Sequence, residues 1–176
     1  CLFSLLMFIY FINKGKDRLD IHFFYLLIMF FEGCIFGFIL LLALNDLSLI
    51  SLDFNVYQTN LLLNLYLSIG AGIWEEILFR VIIFSLLIKG FNLVFAKGQY
   101  TFIAIVCSII LSSVIFSLFH YIGQGADQIE LSSFILRFLG GFLLCVLYYF
   151  RGFGVTVIAH ISYDFILVSI PLIYIY

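Results

Sequence analysis

The chain has 176 residues, of which 65% are hydrophobic and only 10% are charged, and its formal net charge is -2. Soluble domains carry about 25% charged residues, so this composition excludes an ordinary water-soluble globular protein. It predicts an all-α, polytopic transmembrane helical bundle that forms a single membrane-embedded domain over residues 1–176. No basic stripe occurs, which argues against nucleic acid as a partner and leaves the lipid bilayer.

Six apolar segments follow one another along the chain, most of them near the length of about 20 residues that spans a bilayer. They cover residues 1–12, 21–44, 60–88, 101–122, 131–150 and 155–176. The first segment is short and begins at Cys1, so we expect the sequence to be a fragment with spans missing upstream. The third is long, and Gly70 and Gly72 leave open whether it is one tilted helix or a broken one. We therefore expect about six spanning segments.

The basic residues between these segments alternate in their distribution. They lie in the first, third and fifth loops, at Lys14, Lys16, Arg18, Lys89, Lys97 and Arg151. The positive-inside rule places these three loops on the cytoplasmic side. Arg80 and Arg137 fall inside predicted spans, where each needs a partner or room to reach the surface. Glu32, in the second span, could pair with Arg137 or could itself reach the surface.

Two adjacent acids, Glu75 and Glu76, lie within the third apolar segment. Ionised groups in the bilayer interior cost at least a few kcal/mol, roughly, so the acids that remain there usually serve function. Arg80 follows Glu76 by four residues on the same helical face, which predicts a structural ion pair. Glu75 points about 100° away on the helix and is therefore available for chemistry.

Two histidines lie in later spans, each in a four-residue pair. Phe116 precedes His120 near the end of the fourth span, and His160 precedes Asp164 in the sixth. A carboxylate one turn from an imidazole can fix the tautomer of the ring. A single buried histidine is more often structural than catalytic. Together with Glu75, however, these residues put four titratable groups on three spans, which is enough for general-base hydrolysis with or without a metal.

The chain resembles the CPBP family of intramembrane proteases, which are related to the type II CAAX prenyl protease and to bacteriocin-processing and self-immunity (Abi) proteins. The resemblance covers residues 70–164 and rests on three motifs in the family's order: Glu75-Glu76-xxx-Arg80, Phe116-xxx-His120 and His160-xxx-Asp164. Val81 stands where the family commonly has Gly, and Asp164 where it often has Asn. Because Asp donates a hydrogen bond only when protonated, Asp164 either carries a proton or orients His160.

The resemblance implies an intramembrane endopeptidase that hydrolyses a peptide bond of a membrane-associated or lipidated substrate. In the mechanism that we favour, Glu75 and His120 activate a water, and His160 with Asp164 stabilises the oxyanion. The supporting residues would be Glu76, Arg80 and Phe116. This mechanism requires no cofactor. The alternative is a divalent metal such as zinc, held by Glu75, His120 and His160.

The substrate and the class of protein stay open at this level. A prenylated C-terminal peptide, a leader peptide and a membrane-anchored protein are all candidates. The abundance of Phe, Ile, Tyr and Leu suggests an AT-biased genome and hence an integral protein of a bacterial cytoplasmic membrane, where prenylation is less common. Two rival functions are a catalytically silent immunity or scaffold protein on the same fold and a proton-coupled transporter, although no internal repeat is visible.

The predicted layout contains one geometric difficulty. His120 lies near the outer end of its span, whereas His160 lies near the inner start of its own. Straight, full-length helices across a core about 30 Å thick would keep the two rings apart. We therefore expect a tilted fifth span, a broken third segment, or a last helix that begins deep in the bundle.

Overall fold

The computed structural model describes residues 23–45, 61–94, 101–123 and 129–174, which contain helices and no strand. In chain order these are α1 (Phe23–Asn45), α2 (Leu61–Glu76), a π-helix (Ile77–Phe84), α3 (Ser85–Val94), α4 (Thr101–Phe119), α5 (Leu131–Arg151) and α6 (Phe153–Tyr174). Within those ranges, four helical stretches are long and apolar enough to cross a bilayer: Tyr25–Leu44, Leu61–Val94, Phe102–Phe119 and Leu131–Arg151. A shorter apolar helix, Phe153–Ser169, joins them. The all-α transmembrane bundle is thus confirmed, and the predicted segment 1–12 lies outside the described residues.

The long third segment is one continuous helical stretch and is not broken at its glycines. Gly72 instead allows close packing, because a Cβ there would lie 3.2 Å from the backbone nitrogen of Ile161 in α6. The irregular part is the π-helix, which begins directly after the two acids at Ile77. Short π-helical insertions in α-helices are frequent at functional sites.

Helices α1 and α6 pack closely along two glycines of α1. A Cβ at Gly37 would lie 2.6 Å from the carbonyl oxygen of Ala159, and one at Gly33 would collide with Ile158. Small residues at such positions let membrane helices approach one another, since apolar lipid supplies no hydrophobic drive for their association. The α1–α6 contact therefore depends on the missing side chains of these glycines.

Helix α6 begins beside the interior of α1, which resolves the geometric difficulty. Arg151, the last residue of α5, forms an ion pair with Glu32, nine residues or about 14 Å from the start of α1. Glu32 therefore pairs with Arg151, and the predicted pairing with Arg137 is wrong. Gly152 alone connects α5 to α6, and its φ of 79° is a conformation that favours glycine.

Helix α4 presents a buried face of serines to its neighbours. Two of these hydroxyls bond backbone carbonyls of other helical segments: Ser112 donates to Phe79 at 3.2 Å, and Ser117 donates to Phe134 at 2.8 Å. Phe79 belongs to the π-helix and Phe134 to α5. Helix α4 is therefore hydrogen-bonded both to the helical stretch that carries Glu75 and Glu76 and to α5.

Candidate active site

A buried ion pair lies at the base of the site. Glu76 is 0% exposed and Arg80 is 1% exposed, and their Oε1 and NH1 atoms are 3.1 Å apart. The contact is close but lacks the alignment of a hydrogen bond, so its attraction is electrostatic. Arg80 also donates from NH2 to the carbonyl oxygen of Gly141 at 3.2 Å. The predicted ion pair is confirmed, and it links the π-helix to α5.

The same Glu76 carboxylate holds the imidazole of His160. Nδ1 of His160 lies 2.7 Å from Oε1 of Glu76, and both groups are buried. Because a carboxylate accepts, Nδ1 carries the hydrogen in this contact. The four-residue spacing had assigned Glu76 to Arg80 alone. The contact of Glu76 with His160, 84 positions later, joins two helices and could not be predicted from the spacing within one helix.

The other nitrogen of His160 faces two further acids. Nε2 lies 3.5 Å from Oδ2 of Asp164 and 3.9 Å from Oε2 of Glu75. Both carboxylates are partly accessible, with side chains 25% and 22% exposed, whereas His160 is 6% exposed. Neither separation is a strong hydrogen bond, so these groups can still bind a molecule that enters between them.

The ring of Phe116 lies close to both histidines. Its ring centroid lies 4.9 Å from that of His120 and 6.2 Å from that of His160. The guanidinium carbon of Arg80 lies 4.7 Å from the same ring, a cation–π arrangement. A Cβ at Gly141 would lie 2.8 Å from Cδ1 of Phe116, so the bare glycine makes room for this ring.

His120 itself follows the last residue of α4, in a turn. Its Nδ1 donates to the carbonyl oxygen of Phe116 at 2.9 Å. In the neutral ring Nε2 is then the nitrogen that accepts a hydrogen bond. The Nδ1–H group of His120 is thus bonded within its own helix, as in many structural histidines. The His120 ring also lines the cavity described next.

A cavity of about 260 Å³ brings together residues from α4, α5 and α6 beside this cluster. Its walls are Phe116, His120, Leu136, Arg137, Leu144, His160, Tyr163, Asp164 and Leu167. A larger cavity of about 350 Å³ lies between α1 and α5, but its walls are almost wholly apolar and contain none of the motif residues. His120, His160 and Asp164 therefore line the smaller cavity, and Glu75 lies beside it, 3.9 Å from Nε2 of His160.

Comparison with known families agrees with this arrangement. Residues 57–166 match the family model described as type II CAAX prenyl endopeptidase Rce1-like. That match spans more than half of the chain and contains all three motifs. The chain belongs to the Rce1-like family. Searches of curated proteins and of solved structures found no match. As an Rce1-like chain it is assigned to the intramembrane CAAX-type endopeptidases, which are integral membrane hydrolases that act on peptide substrates.

The metal alternative requires three ligands around one open position. Among the residues that the structure describes, no three His, Cys, Asp or Glu side chains are grouped so that they could hold a metal ion. In this Rce1-like chain Glu76 holds Nδ1 of His160, and Nε2 faces the carboxylates of Asp164 and Glu75. We assign no catalytic step to a metal.

Two polar residues of the cavity, Arg137 and Tyr163, were not assigned to the site from sequence. Arg137 was considered only as a partner for Glu32 or as a side chain that reaches the surface, and Tyr163 was not singled out. The available signal for Arg137 was a charge within an otherwise apolar span, which by itself marks a functional candidate. Tyr163 carried no such signal, because a tyrosine next to Asp164 shows nothing by itself in the sequence. Its place in the cavity wall results from the packing of α6.

Proposed function

We propose that this chain is an active endopeptidase in which Glu75 is the general base. The observation that carries the proposal is the partly exposed carboxylate of Glu75, 3.9 Å from Nε2 of His160, whose ring lines the cavity. Glu76 is already engaged by Arg80 and His160, whereas no hydrogen bond joins Glu75 to the imidazole. A base must reach its proton directly or through one water.

The geometry suits a water shared by these two groups. A water about 2.8 Å from both Oε2 of Glu75 and Nε2 of His160 would form an angle of about 90° between them, which is acceptable for hydrogen bonding. Glu75 would take a proton as the water oxygen attacks the scissile carbonyl carbon. The same proton would pass to the leaving amine when the carbon–nitrogen bond breaks. We assign His120, which lines the same cavity as His160, to the same water.

Stabilisation of the oxyanion is assigned to His160 and Asp164. Because Glu76 holds Nδ1, the ring is oriented with Nε2 toward the reacting atoms. A doubly protonated imidazole would donate from Nε2, and a protonated Asp164 would add a second donor. Otherwise, Asp164 would act by orienting the ring, from which it is 3.5 Å distant. Glu76 and Arg80 are positioning residues in this scheme.

The proposed substrate is a peptide held at the membrane by a lipid or by a transmembrane anchor, and the proposed location is a bacterial cytoplasmic membrane. The family description favours a C-terminal peptide with a prenylated cysteine as the first probe. Leader peptides and membrane-anchored proteins are the next probes.

The test is cleavage of a fluorogenic, farnesylated C-terminal peptide by the purified protein in lipid vesicles. We expect Glu75→Gln to lower kcat by about 100-fold or more, the scale of general-base catalysis. The matched control is Glu32→Gln, which removes a carboxylate of α1 that pairs with Arg151 and does not line the cavity. This variant should retain activity. A chelator in the same assay tests the zinc alternative.

Full activity of Glu75→Gln would refute the proposed base. If the wild-type protein cleaves neither the farnesylated peptide nor a leader peptide nor an anchored protein, the silent scaffold would replace the enzyme. Proton-coupled uptake without cleavage would favour the transporter.

A further inference from the structure

Arg137 is a charged wall of the cavity that the hydrolytic scheme does not use. It lies on α5 four residues before Gly141, so both face the same side of the helix. Gly141 contacts Phe116 and Arg80, and Arg137 accordingly lines the cavity together with His120 and Asp164. Its side chain is half-buried.

The charges around the cavity give this guanidinium a distinct role. Three carboxylates, those of Glu75, Glu76 and Asp164, surround His160. An anionic group of a substrate would be repelled there unless a cation faced it. Arg80 contacts Glu76 and the Gly141 carbonyl and does not line the cavity, and Arg137 is the arginine in the cavity wall.

The size and walls of the cavity favour the end of a peptide. A volume of about 260 Å³ is below that of ordinary ligand pockets, which start near 300 Å³, so it accommodates only a short stretch of chain. Leu136, Leu144 and Leu167 offer apolar walls for side chains. A chain end that enters such a cavity brings its carboxylate with it, and a planar guanidinium binds a carboxylate through two parallel hydrogen bonds.

We propose that Arg137 is a specificity-determining residue that binds a carboxylate of the substrate, foremost the free C-terminal carboxylate of a peptide cleaved near its end. The inference rests on the proposed function, since it assigns a substrate-binding role to a residue of the same site.

The experiment compares three peptides of otherwise identical sequence: a free acid, a C-terminal amide, and an amide with an aspartate as last residue. The wild-type protein should cleave the acid at least about tenfold more efficiently than the amide, with the difference mainly in KM, because a charged hydrogen bond is lost. Arg137→Gln should abolish this preference by lowering cleavage of the acid at least about tenfold more than cleavage of the amide. Arg137→Lys should retain part of it, and Arg151→Gln, the same change outside this cavity, should retain all of it.

The outcomes separate the two proposals. If no peptide is cleaved, the proposed function fails. If all are cleaved without preference for the acid, only the role of Arg137 fails. An equal loss on the acid and the amide in Arg137→Gln would show that Arg137 merely balances the charge of Glu75 or Asp164, and would overturn the inference. Equal rescue by the terminal aspartate would identify a side-chain carboxylate as the recognised group and overturn the assignment to the chain end.

Discussion

Replacing Arg80 with methionine tests whether its ion pair with Glu76 stabilises the bundle. Methionine keeps much of the length and apolar bulk of arginine but removes the charge. The change leaves Glu76, which is 0% exposed, without its cation, and it removes the hydrogen bond to the Gly141 carbonyl and the cation–π contact with Phe116. These contacts join the π-helix to α5 and α4, so their loss should loosen the packing around the site.

The expected loss of stability is about 2–3 kcal/mol. Removing one partner of a buried pair costs about 3–5 kcal/mol in soluble proteins. Two features reduce that value here. The 3.1 Å contact is not aligned as a hydrogen bond, and in a membrane the separated helices still hold Glu76 in an apolar environment.

The measurement is the free energy of unfolding in mixed micelles, by titration with a denaturing detergent. Arg151→Met provides the matched control, because Arg151 is 51% exposed in its pair with Glu32, and it should destabilise less. The double variant Glu76→Gln/Arg80→Met should recover part of the loss, since no buried charge is then left unpaired. The reasoning fails if Arg80→Met destabilises no more than the control, or if the double variant recovers nothing.

Two further predictions concern packing and positioning. Gly37→Ala should destabilise the protein by about 1–3 kcal/mol, because its Cβ would lie 2.6 Å from the Ala159 carbonyl oxygen. The control Gly70→Ala should be neutral or stabilising, because nothing lies within 4 Å of a Cβ at that position. Equal thermal shifts for the two variants would contradict the close α1–α6 contact. Glu76→Gln should lower kcat on the order of 100-fold with little change in KM, because His160 loses the charged partner that orients its ring. A change confined to KM would count against this positioning role of Glu76.

Much of the architecture could be predicted from the chain alone. Among the described residues, the bounds of the apolar segments agree with the helices to within a few residues, apart from the third segment, whose helical stretch continues to Val94. This agreement has a simple cause. In a bilayer every backbone polar group must be satisfied within its own segment, so apolar length and helix length coincide. The local pair Glu76–Arg80 was predictable for a related reason, since both residues belong to one turn.

The convergence of the motifs could be expected from the family resemblance, but spacing along the chain could not establish it. The resemblance indicated that Glu75, His120 and His160 share a site, while straight helices would have separated the two histidines. In the structure α6 begins beside Glu32, in the interior of α1, and His160 therefore lies against Phe116. No periodicity in the sequence shows the depth at which a helix begins.

What the sequence by itself determined is the membrane-embedded helical class, the order of the described spans, and the acids and imidazoles of the three family motifs. Hydrophobic length and four-residue spacing are properties of one segment, and so they can be read from one segment. Only the tertiary structure decided that Glu76 holds His160 as well as Arg80, and that Arg137 faces the cavity rather than Glu32. Those contacts depend on the relative depth and rotation of packed helices, which are set where bare glycines let backbones approach.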